Sequence, residues 1–372
     1  MKVCVLSMQR VKNYGSLLQA YSLKKLIESL GHEVSFIDIA PNNQDNSLRE
    51  NVVEYDEGQA KTSKNIISRI LVQDKNLYFA VKKALNKKLV QKKQIEFGTN
   101  YLKLDYLNND KDYDVCVIGS DEVFNCMNNA PWGFTTQLFG NVENVSKIIT
   151  YAASCGFTTC DMLSDKVKNA IKGAFKNVSS FSVRDENTKI FVEELGGETP
   201  QINLDPVVVG DFEEEISKIN IKRKLPSKYC IIYAYHDRIN SPSEIKAITD
   251  FCNRKGLTPV TIGGYQKWVR NHLALSPFEV LLAFKQAEFV ITDTFHGTIF
   301  SAKYAKKFGV IVRDSNRNKL SDLIKRLGIE NQEIINIEDI ESLYEINANR
   351  KNIDKIIELE RKNTLAYLEK SL

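Results

Sequence analysis

The chain has 372 residues, of which 43% are hydrophobic and 26% charged, and its formal net charge is +4 at pH 7. The composition is that of an ordinary globular protein, and the length favours two domains over one. The small net charge argues against nucleic acid as a partner, and no apolar run approaches the ~18 residues that a membrane helix needs. The seven cysteines form no Cys-x-x-Cys pair and no cluster with histidine, so we expect neither a zinc site nor a disulfide framework.

Short apolar runs alternate with amphipathic helical patterns from the N-terminus. Val3–Leu6 is predicted to be a buried strand, Ser16–Leu30 a helix that ends at Gly31, and Val34–Ile39 a second strand. The first apolar run is too short for a signal peptide, so we expect a cytoplasmic protein. A βαβ opening of this kind predicts a parallel sheet with helices on both faces.

A polar, Asn- and Lys-rich stretch near residues 41–100 interrupts this pattern, and we interpret it as a helical insertion. Towards its end lysines alternate with apolar residues such as Leu85 and Leu89. Two hypotheses stay open for this basic run: a solvated helix face, or a contact with an anionic membrane surface or a lipid pyrophosphate. Its lysines are Lys82, Lys83, Lys87, Lys88, Lys92 and Lys93.

The strand pattern returns at 114–118, 147–152 and 179–183, and the charged stretch 210–227 is interpreted as an interdomain connection. A second alternating series then begins at Tyr229. The sequence therefore predicts two Rossmann-like α/β domains facing a cleft, an N-terminal one over 1–210 and a C-terminal one over 211–372. We expect the last helix, over 352–370, to pack back on the N-terminal domain.

Ligands of doubly wound folds bind at the carboxyl ends of strands, on loops that lead into helix N-termini. Two such loops lie in the first series. In the first loop, Asn13 to Ser16, Gly15 would let backbone amides approach a ligand at the start of a helix. In the second, Gly119 to Asn125, Ser120 or Asp121 would cap a helix, or the loop would bind the face and hydroxyls of a sugar.

Two further loops carry a cation. Arg184 ends a buried strand, and it is either paired with Asp185 or a helix carboxylate, or it grips a carboxylate or phosphate through two parallel hydrogen bonds. His296 lies between a strand end and a helix start, beside Gly297, where it is either satisfied by local backbone or functional. Other histidines, such as His236 and His272, lie in loops without supporting glycines and rank lower.

Taken together, these segments resemble the polysaccharide pyruvyl transferase family. The match keeps the order of the family's motifs along nearly the whole chain. It consists of Asn13-Tyr14-Gly15, Gly119-Ser120-Asp121-x-Val123-x-Asn125, Ser182-Val183-Arg184-Asp185, Leu204-Asp205-Pro206, Asp293-x-Phe295-His296-Gly297 and the segment from Arg317 to Leu323. The chain departs from the commoner pattern at Glu122, Phe124 and Thr294, where Gln, Trp and Ser are more usual.

The resemblance implies a fold of the GT-B type, phosphoenolpyruvate as donor substrate, and a ketal on a saccharide as product, with no metal or other cofactor. The family's essential arginine and histidine match Arg184 and His296. Imidazole, with a reference pKa of ~6.5, suits the proton transfers, and Asp293 is expected to orient it. Asp205 is a further candidate, as the base for an acceptor hydroxyl. We expect the donor to contact Asn13, Gly15, Arg184, His296, Gly297 and Thr298, and the acceptor to contact Ser120, Asp121, Phe124 and Asn125.

Polysaccharide repeat units are commonly assembled on a polyprenyl pyrophosphate, so the resemblance also implies a lipid-linked acceptor and a peripheral position at the inner membrane face. Two other functions remain open from the sequence. One is a GT-B-type glycosyltransferase that uses a sugar nucleotide, since one architecture hosts many chemistries. The other is a non-catalytic protein that binds a saccharide or phosphosugar.

Overall fold

A computed structural model describes residues 1–40, 73–127, 132–221 and 225–372, apart from the side chains of residues 73–80 and of Asn318. Within these ranges the strands form two parallel sheets, one in each half of the chain, with helices packed against both. The predicted α/β fold with two Rossmann-like halves is therefore confirmed. Residues 41–72 of the predicted insertion lie outside the described residues.

The first sheet has seven strands among the described residues, in the order β2-β1-β3-β4-β6-β7, with β5 also paired to β4. Every pairing is parallel. The parallel arrangement brings the carboxyl ends of the central strands to one edge, where the predicted loops begin. The strands are β1 Lys2–Leu6, β2 Glu33–Phe36, β3 Tyr113–Asp121, β4 Val145–Ala153, β5 Val178–Ser180, β6 Ser182–Val183 and β7 Gln201–Ile202.

Three helices of the first half begin at side-chain caps supplied by the predicted motifs. Asn13 accepts a hydrogen bond from the Ser16 amide at 2.8 Å, and Asp185 and Asp205 cap helices in the same way. The helices of the first half, with the two that lead to the second half, are α1 Tyr14–Ser29, α2 Gln73–Phe97, α3 Asp165–Phe175, α4 Glu186–Glu194, α5 Pro206–Val209 and α6 Glu213–Ser217.

The second sheet has five parallel strands in the described part of the chain, in the order β10-β9-β8-β11-β12. Its strands are β8 Tyr229–Tyr233, β9 Thr258–Ile262, β10 Asn271–Leu273, β11 Phe289–Thr292 and β12 Phe308–Val310. Its helices are α7 Pro242–Lys255, α8 Pro277–Gln286, α9 Phe295–Tyr304, α10 Arg317–Leu327, α11 Ile340–Glu345 and α12 Arg350–Ser371.

The last helix, α12, lies against the first sheet. The Tyr367 hydroxyl donates to the backbone carbonyl of Thr150 on β4 at 2.8 Å, and the hydroxyls of Thr364 and Tyr151 are 3.0 Å apart. These side chains are buried. The C-terminus of the chain is thus fastened to the half in which the chain begins.

The two halves also meet across a cleft. The Tyr14 hydroxyl at the start of α1 donates to the carbonyl of Leu275 at 2.9 Å, and Lys319 on α10 pairs with Glu122 at 3.0 Å. Between these contacts lies a cavity of about 1520 Å³. None of the helices in the described ranges combines the length and the apolarity needed to cross a bilayer.

Candidate active site

The carboxylate of Asp205 is the point at which three predicted loops meet. One of its oxygens, Oδ1, accepts the Val207 amide at 2.9 Å. The other, Oδ2, lies 3.6 Å from Nε2 of His296 and 3.5 Å from Nη1 of Arg184. Burial opposes ionisation of Asp205, but the imidazole and the guanidinium outweigh it and hold the pKa of the carboxyl below its ordinary value. A buried carboxylate from the first half therefore faces an imidazole from the second.

The Arg184 guanidinium is held loosely by several partners. It lies 4.0 Å from carboxylate oxygens of both Asp121 and Asp185, and it stacks 4.3 Å from the centre of the Phe295 ring. Bidentate arginine pairs are closer, at ~2.7–2.9 Å, and the buried Nε of Arg184 makes no hydrogen bond. Burial would lower the pKa of Arg184, but Asp205 and the other carboxylates raise it. The side chain is only 3% exposed and does not line the cavity.

His296 lies in the first turn of α9 and lines the cavity. Gly15, on the facing turn of the other half, leaves space for it, because a Cβ built on Gly15 would overlap the imidazole ring. The glycine therefore admits the imidazole of His296, and it also lines the cavity, so its contact with the donor stays a prediction.

Gly297 and Thr298 do not line the cavity, which corrects their prediction as donor ligands. The amide of Gly297 donates to the Thr294 hydroxyl at 2.9 Å, and a Cβ on Gly297 would overlap the hydroxyl of Thr292. The Thr298 amide and hydroxyl both donate to the Thr294 carbonyl. These groups form the helix cap. Of the other predicted donor ligands, Asn13 lines the cavity beside Gly15.

Asp293 does not orient His296, contrary to expectation. It is fully buried, with one carboxylate oxygen 3.3 Å from Nε of Arg238 and 3.6 Å from Nε of Arg313. Burial raises the pKa of Asp293 to about 6, although the two arginines act in the opposite direction. The carboxylate that faces the imidazole of His296 is instead Asp205, ninety-one positions earlier in the chain.

None of the four predicted acceptor ligands lines the cavity. The Phe124 ring is fully buried and stacks on Phe139, with ring centres 5.2 Å apart. The buried Asn125 amide bonds Glu122 at 2.8 Å and Thr158 at 2.9 Å. These two predictions are wrong because the chain turns inward after β3, so its aromatic and amide groups join the core.

The other two predicted acceptor ligands belong to the buried network behind His296. Asp121 accepts the Ser16 hydroxyl at 2.6 Å, and the Ser120 hydroxyl lies 3.4 Å from Asp205. From the same segment Glu122 does reach the cavity. Burial opposes ionisation of Glu122, but Lys319 and Arg184 outweigh it and lower its pKa to about 2.

The cavity is rich in positive charge. Its described lining contains seven Lys or Arg side chains against three Asp or Glu side chains. A surface of this kind attracts anionic ligands. The cations are Lys12, Lys83, Lys87, Arg238, Lys267, Arg317 and Lys319, and the acids are Glu122, Asp237 and Asp314.

Sequence reasoning missed a second group of cavity residues around Tyr265. The ring stacks on His272 with centres 4.1 Å apart, and Lys83 lies 5.4 Å above it and also contacts His236. Both histidines ranked low because the sequence predicts them in loops without supporting glycines, but His272 lies on β10. The usable signal was in the neighbouring loop, where Gly263-Gly264 follows β9 and packs against the loop that carries His236.

The basic run of α2 does not simply face outward. Lys82 donates to the carbonyl of Arg270 at 2.9 Å, Lys93 pairs with Glu279 at 2.6 Å, and Lys83 contacts His236. The helix therefore spans the cleft and joins the second half. Lys88 and Lys92 lie on its exposed side.

Comparison with known proteins identifies the family. A model described as polysaccharide pyruvyl transferase matches residues 13–315, while a search of curated proteins found no match. Similar solved structures include UDP-N-acetylglucosamine 2-epimerase from Rickettsia bellii, with 10% identity, 99% of this chain and 97% of that chain covered, and a TM-score of 0.48. Another is UDP-GlcNAc 2-epimerase from Neisseria meningitidis bound to UDP-GlcNAc, with 12% identity, coverage of 99% and 100%, and a TM-score of 0.47.

A third similar structure is a Streptomyces sp. SF2575 glycosyltransferase complexed with thymidine diphosphate, with 12% identity, coverage of 99% and 98%, and a TM-score of 0.41. The family model, in contrast to these solved structures, matches the sequence itself. It spans most of the chain, from Asn13 at the cleft through Arg184 and Asp205 to His296 and beyond. The chain therefore belongs to the polysaccharide pyruvyl transferase family.

Proposed function

We propose that this protein transfers the enolpyruvyl group of phosphoenolpyruvate to a sugar of a surface polysaccharide or of its lipid-linked repeat unit, forming a pyruvate ketal and releasing phosphate. The observation that supports this most is the pairing of His296 with Asp205 at the wall of a cation-rich cavity. An imidazole backed by a carboxylate can both give and take protons. The proposed reaction needs a proton given to the donor carbon and a proton taken from a sugar hydroxyl.

The donor carries a carboxylate and a phosphate, so its site must supply positive charge. Arg238, Arg317 and Lys319 line the same cavity as His296 and are suited to this task. Arg184 has two candidate roles. It grips the donor carboxylate, as the family resemblance implies, or it keeps Asp205 ionised. Its burial and its 3.5 Å approach to Asp205 favour the second role.

The chemistry balances with two acceptor hydroxyls. His296, in its protonated form, donates a proton to the methylene carbon of the donor and so makes a methyl group. One sugar hydroxyl adds to the adjacent carbon, and its proton returns to the imidazole. A neighbouring hydroxyl then displaces phosphate from that carbon, which closes the ketal, and the phosphate carries away the second hydroxyl proton. Asp205 stabilises the imidazolium in each cycle.

The test supplies phosphoenolpyruvate and lipid-linked saccharide extracted from cells and measures phosphate release together with the ketal methyl signal by NMR. We expect equal amounts of both products from the parent protein and neither from His296→Ala, with both proteins equally folded by circular dichroism. Unchanged phosphate release in the variant would exclude His296 as the proton donor. Turnover of a sugar nucleotide in place of phosphoenolpyruvate would identify a glycosyltransferase, and binding without turnover of either would identify a saccharide-binding protein.

A further inference from the structure

The carboxylate of Asp205 and the imidazole of His296 face each other without a close hydrogen bond. Their nearest atoms, Oδ2 and Nε2, are 3.6 Å apart, which is longer than the ~2.7–3.2 Å of an ordinary N–H···O bond. The buried Nε2 of His296 makes no hydrogen bond to any described residue. The distance between the two groups is therefore set by the helices that carry them.

These helices, α5 and α9, touch at both ends. Asp205 is the N-cap of α5, and His296 lies in the first turn of α9. Lys303 follows His296 by seven residues, which is two turns further along the same face of α9. At that end its ammonium donates to the carbonyls of Val208 and Gly210, each at 2.6 Å. The catalytic pair thus lies at the N-terminal ends of the two helices and Lys303 at their C-terminal ends.

The ammonium of Lys303 suits the end of α5. Carbonyls in the last turn of a helix have no partner within the helix, and a cation can satisfy them. The rings of Phe212 and Tyr304 lie beside the ammonium, with their centres 5.7 and 5.9 Å away. Because α5 follows the last strand of the first sheet and α9 follows β11 of the second, this single side chain joins the two halves of the chain.

The last helix, α12, holds α5 and α9 separately. Arg361 donates to the Val209 carbonyl of α5 at 3.2 Å, and Arg350 donates to the backbone carbonyl of Lys303 on α9 at 2.8 Å. In the described part of the chain, the hydrogen bonds that run directly between α5 and α9 all come from the Lys303 ammonium. Its removal would leave the spacing of these two helices to apolar packing.

A lysine is costly at this position. Burial lowers the pKa of Lys303 to about 7, and Arg361 acts in the same direction, although Asp211, Glu213 and Asp354 oppose them. An unbranched apolar side chain such as methionine would fill the same space without the loss of hydration that an ammonium suffers. Packing therefore does not require a cation here, whereas alignment of the two helices does.

We propose that Lys303 is a positioning residue, which holds α5 against α9 and so sets the spacing between the Asp205 carboxylate and the His296 imidazole for proton transfer. It does not line the cavity, so it acts through this pair and not on a substrate. A misplacement of about 1 Å in such a pair can cost ~10²-fold in rate. The effect on transfer rests on the proposed function, but the effect on the spacing does not.

The first experiment needs no substrate and compares NMR signals of histidine rings in isotope-labelled protein. His296→Ala assigns the signal of His296, and Asp205→Asn shows how that signal moves when the facing charge is lost. Lys303→Met should move it in the same direction, by at least about half as much. Lys306→Met, the matched control, removes an exposed lysine just beyond α9 and should leave it in place.

An unchanged His296 signal in the folded Lys303→Met protein overturns the proposal. Circular dichroism checks that the variant is folded. If it is not, Lys303→Gln takes its place, because the amide keeps an N–H donor for the two carbonyls but carries no charge. The same outcomes then decide.

The second experiment measures phosphate release with phosphoenolpyruvate and lipid-linked saccharide. Lys303→Met should lower kcat about ten- to hundredfold and leave the Kd of phosphoenolpyruvate within about twofold, because no side chain of the cavity has changed. In the Asp205→Asn background the same substitution should lower kcat less than about twofold, since residues that act through one group are not additive. Equal losses in both backgrounds, or weakened donor binding with kcat kept, overturn the proposal. If the parent releases no phosphate, the proposed function fails, and the NMR comparison alone decides the role of Lys303.

Discussion

The imidazole of His296 packs so closely on Gly15 that a Cβ at residue 15 would overlap the ring. The two residues come from opposite halves of the chain, so the contact fixes how closely the halves approach at the cavity. It also accounts for the glycine in Asn13-Tyr14-Gly15 of this chain. The glycine is needed by the imidazole that the mechanism uses.

Gly15→Ala should therefore displace the His296 ring and reduce transfer by about 10²–10⁴-fold, the usual contribution of a positioned acid–base group. Gly173→Ala is the matched control, because a Cβ there meets nothing within 4 Å inside α3. Steady-state phosphate release decides the matter. Equal rates in the two alanine variants would show that the ring does not need its observed position.

Arg184→Lys should lower kcat/KM for phosphoenolpyruvate. The expected loss of transition-state stabilisation is on the order of 1.5–3 kcal/mol, because an ammonium cannot replace a planar guanidinium among several carboxylates. The contact with Asp205 predicts that most of the loss falls in kcat, with donor affinity nearly kept. A loss confined to donor affinity would instead establish direct contact with the donor. Unchanged kinetics would remove Arg184 from the reaction altogether.

Glu122→Gln should reduce the stability of the folded protein at neutral pH and leave it nearly unchanged at low pH. The parent carboxylate has a pKa of about 2 against an ordinary 4.5, so its ionised form adds stability above pH 4.5 that disappears as the pH falls towards 2. At ~1.4 kcal/mol per pKa unit, the parent should exceed the variant in free energy of unfolding by on the order of 3 kcal/mol at neutral pH. Urea titrations between pH 7 and pH 3 measure the difference. A difference that stays constant across this range contradicts the assigned ion pair with Lys319.

The outer side of α2, rather than the whole basic run, is the surface that could contact a membrane. Val81, Leu85, Leu89 and Ile95 are about half exposed there, and Lys88 and Lys92 lie among them. Apolar residues beside lysines are typical of a helix that lies on an anionic bilayer, where each lysine contributes ~1 kcal/mol. We expect the protein to co-sediment with vesicles containing phosphatidylglycerol, less so at high salt, and Leu85→Gln/Leu89→Gln to weaken this binding. No binding by the parent, or equal binding by both, leaves this side as ordinary surface.

Much of the architecture followed from local pattern. β1, α1 and β2 lie within a few residues of their predicted bounds, because buried parallel strands and their following helices have distinct periods and capping residues. That Arg184, Asp205 and His296 gather at one edge also follows, since each comes directly after a strand or at the start of a helix. The sequence could not show which carboxylate faces His296, because that depends on how the two halves meet.

The errors have the same origin. Phe124 and Asn125 were interpreted as sugar ligands from their neighbours in sequence, but the direction of the turn after β3 decides their burial. For the lysines of α2 the sequence predicts a solvated face or a contact with a membrane or lipid pyrophosphate, whereas the second half of the chain lies against three of them. The features that local patterns did not predict therefore depend on contacts between residues far apart in the chain.

The central claim is that the cavity beside His296 takes phosphoenolpyruvate, and thermal unfolding with added ligand tests it most directly because no acceptor is needed. A ligand at a hundred times its Kd stabilises the native state by ~2.7 kcal/mol, which a thermal scan resolves easily. We predict that phosphoenolpyruvate raises Tm in a concentration-dependent way while UDP- and GDP-sugars at the same concentration raise it less. A rise in Tm with a sugar nucleotide and none with phosphoenolpyruvate would contradict the proposed function.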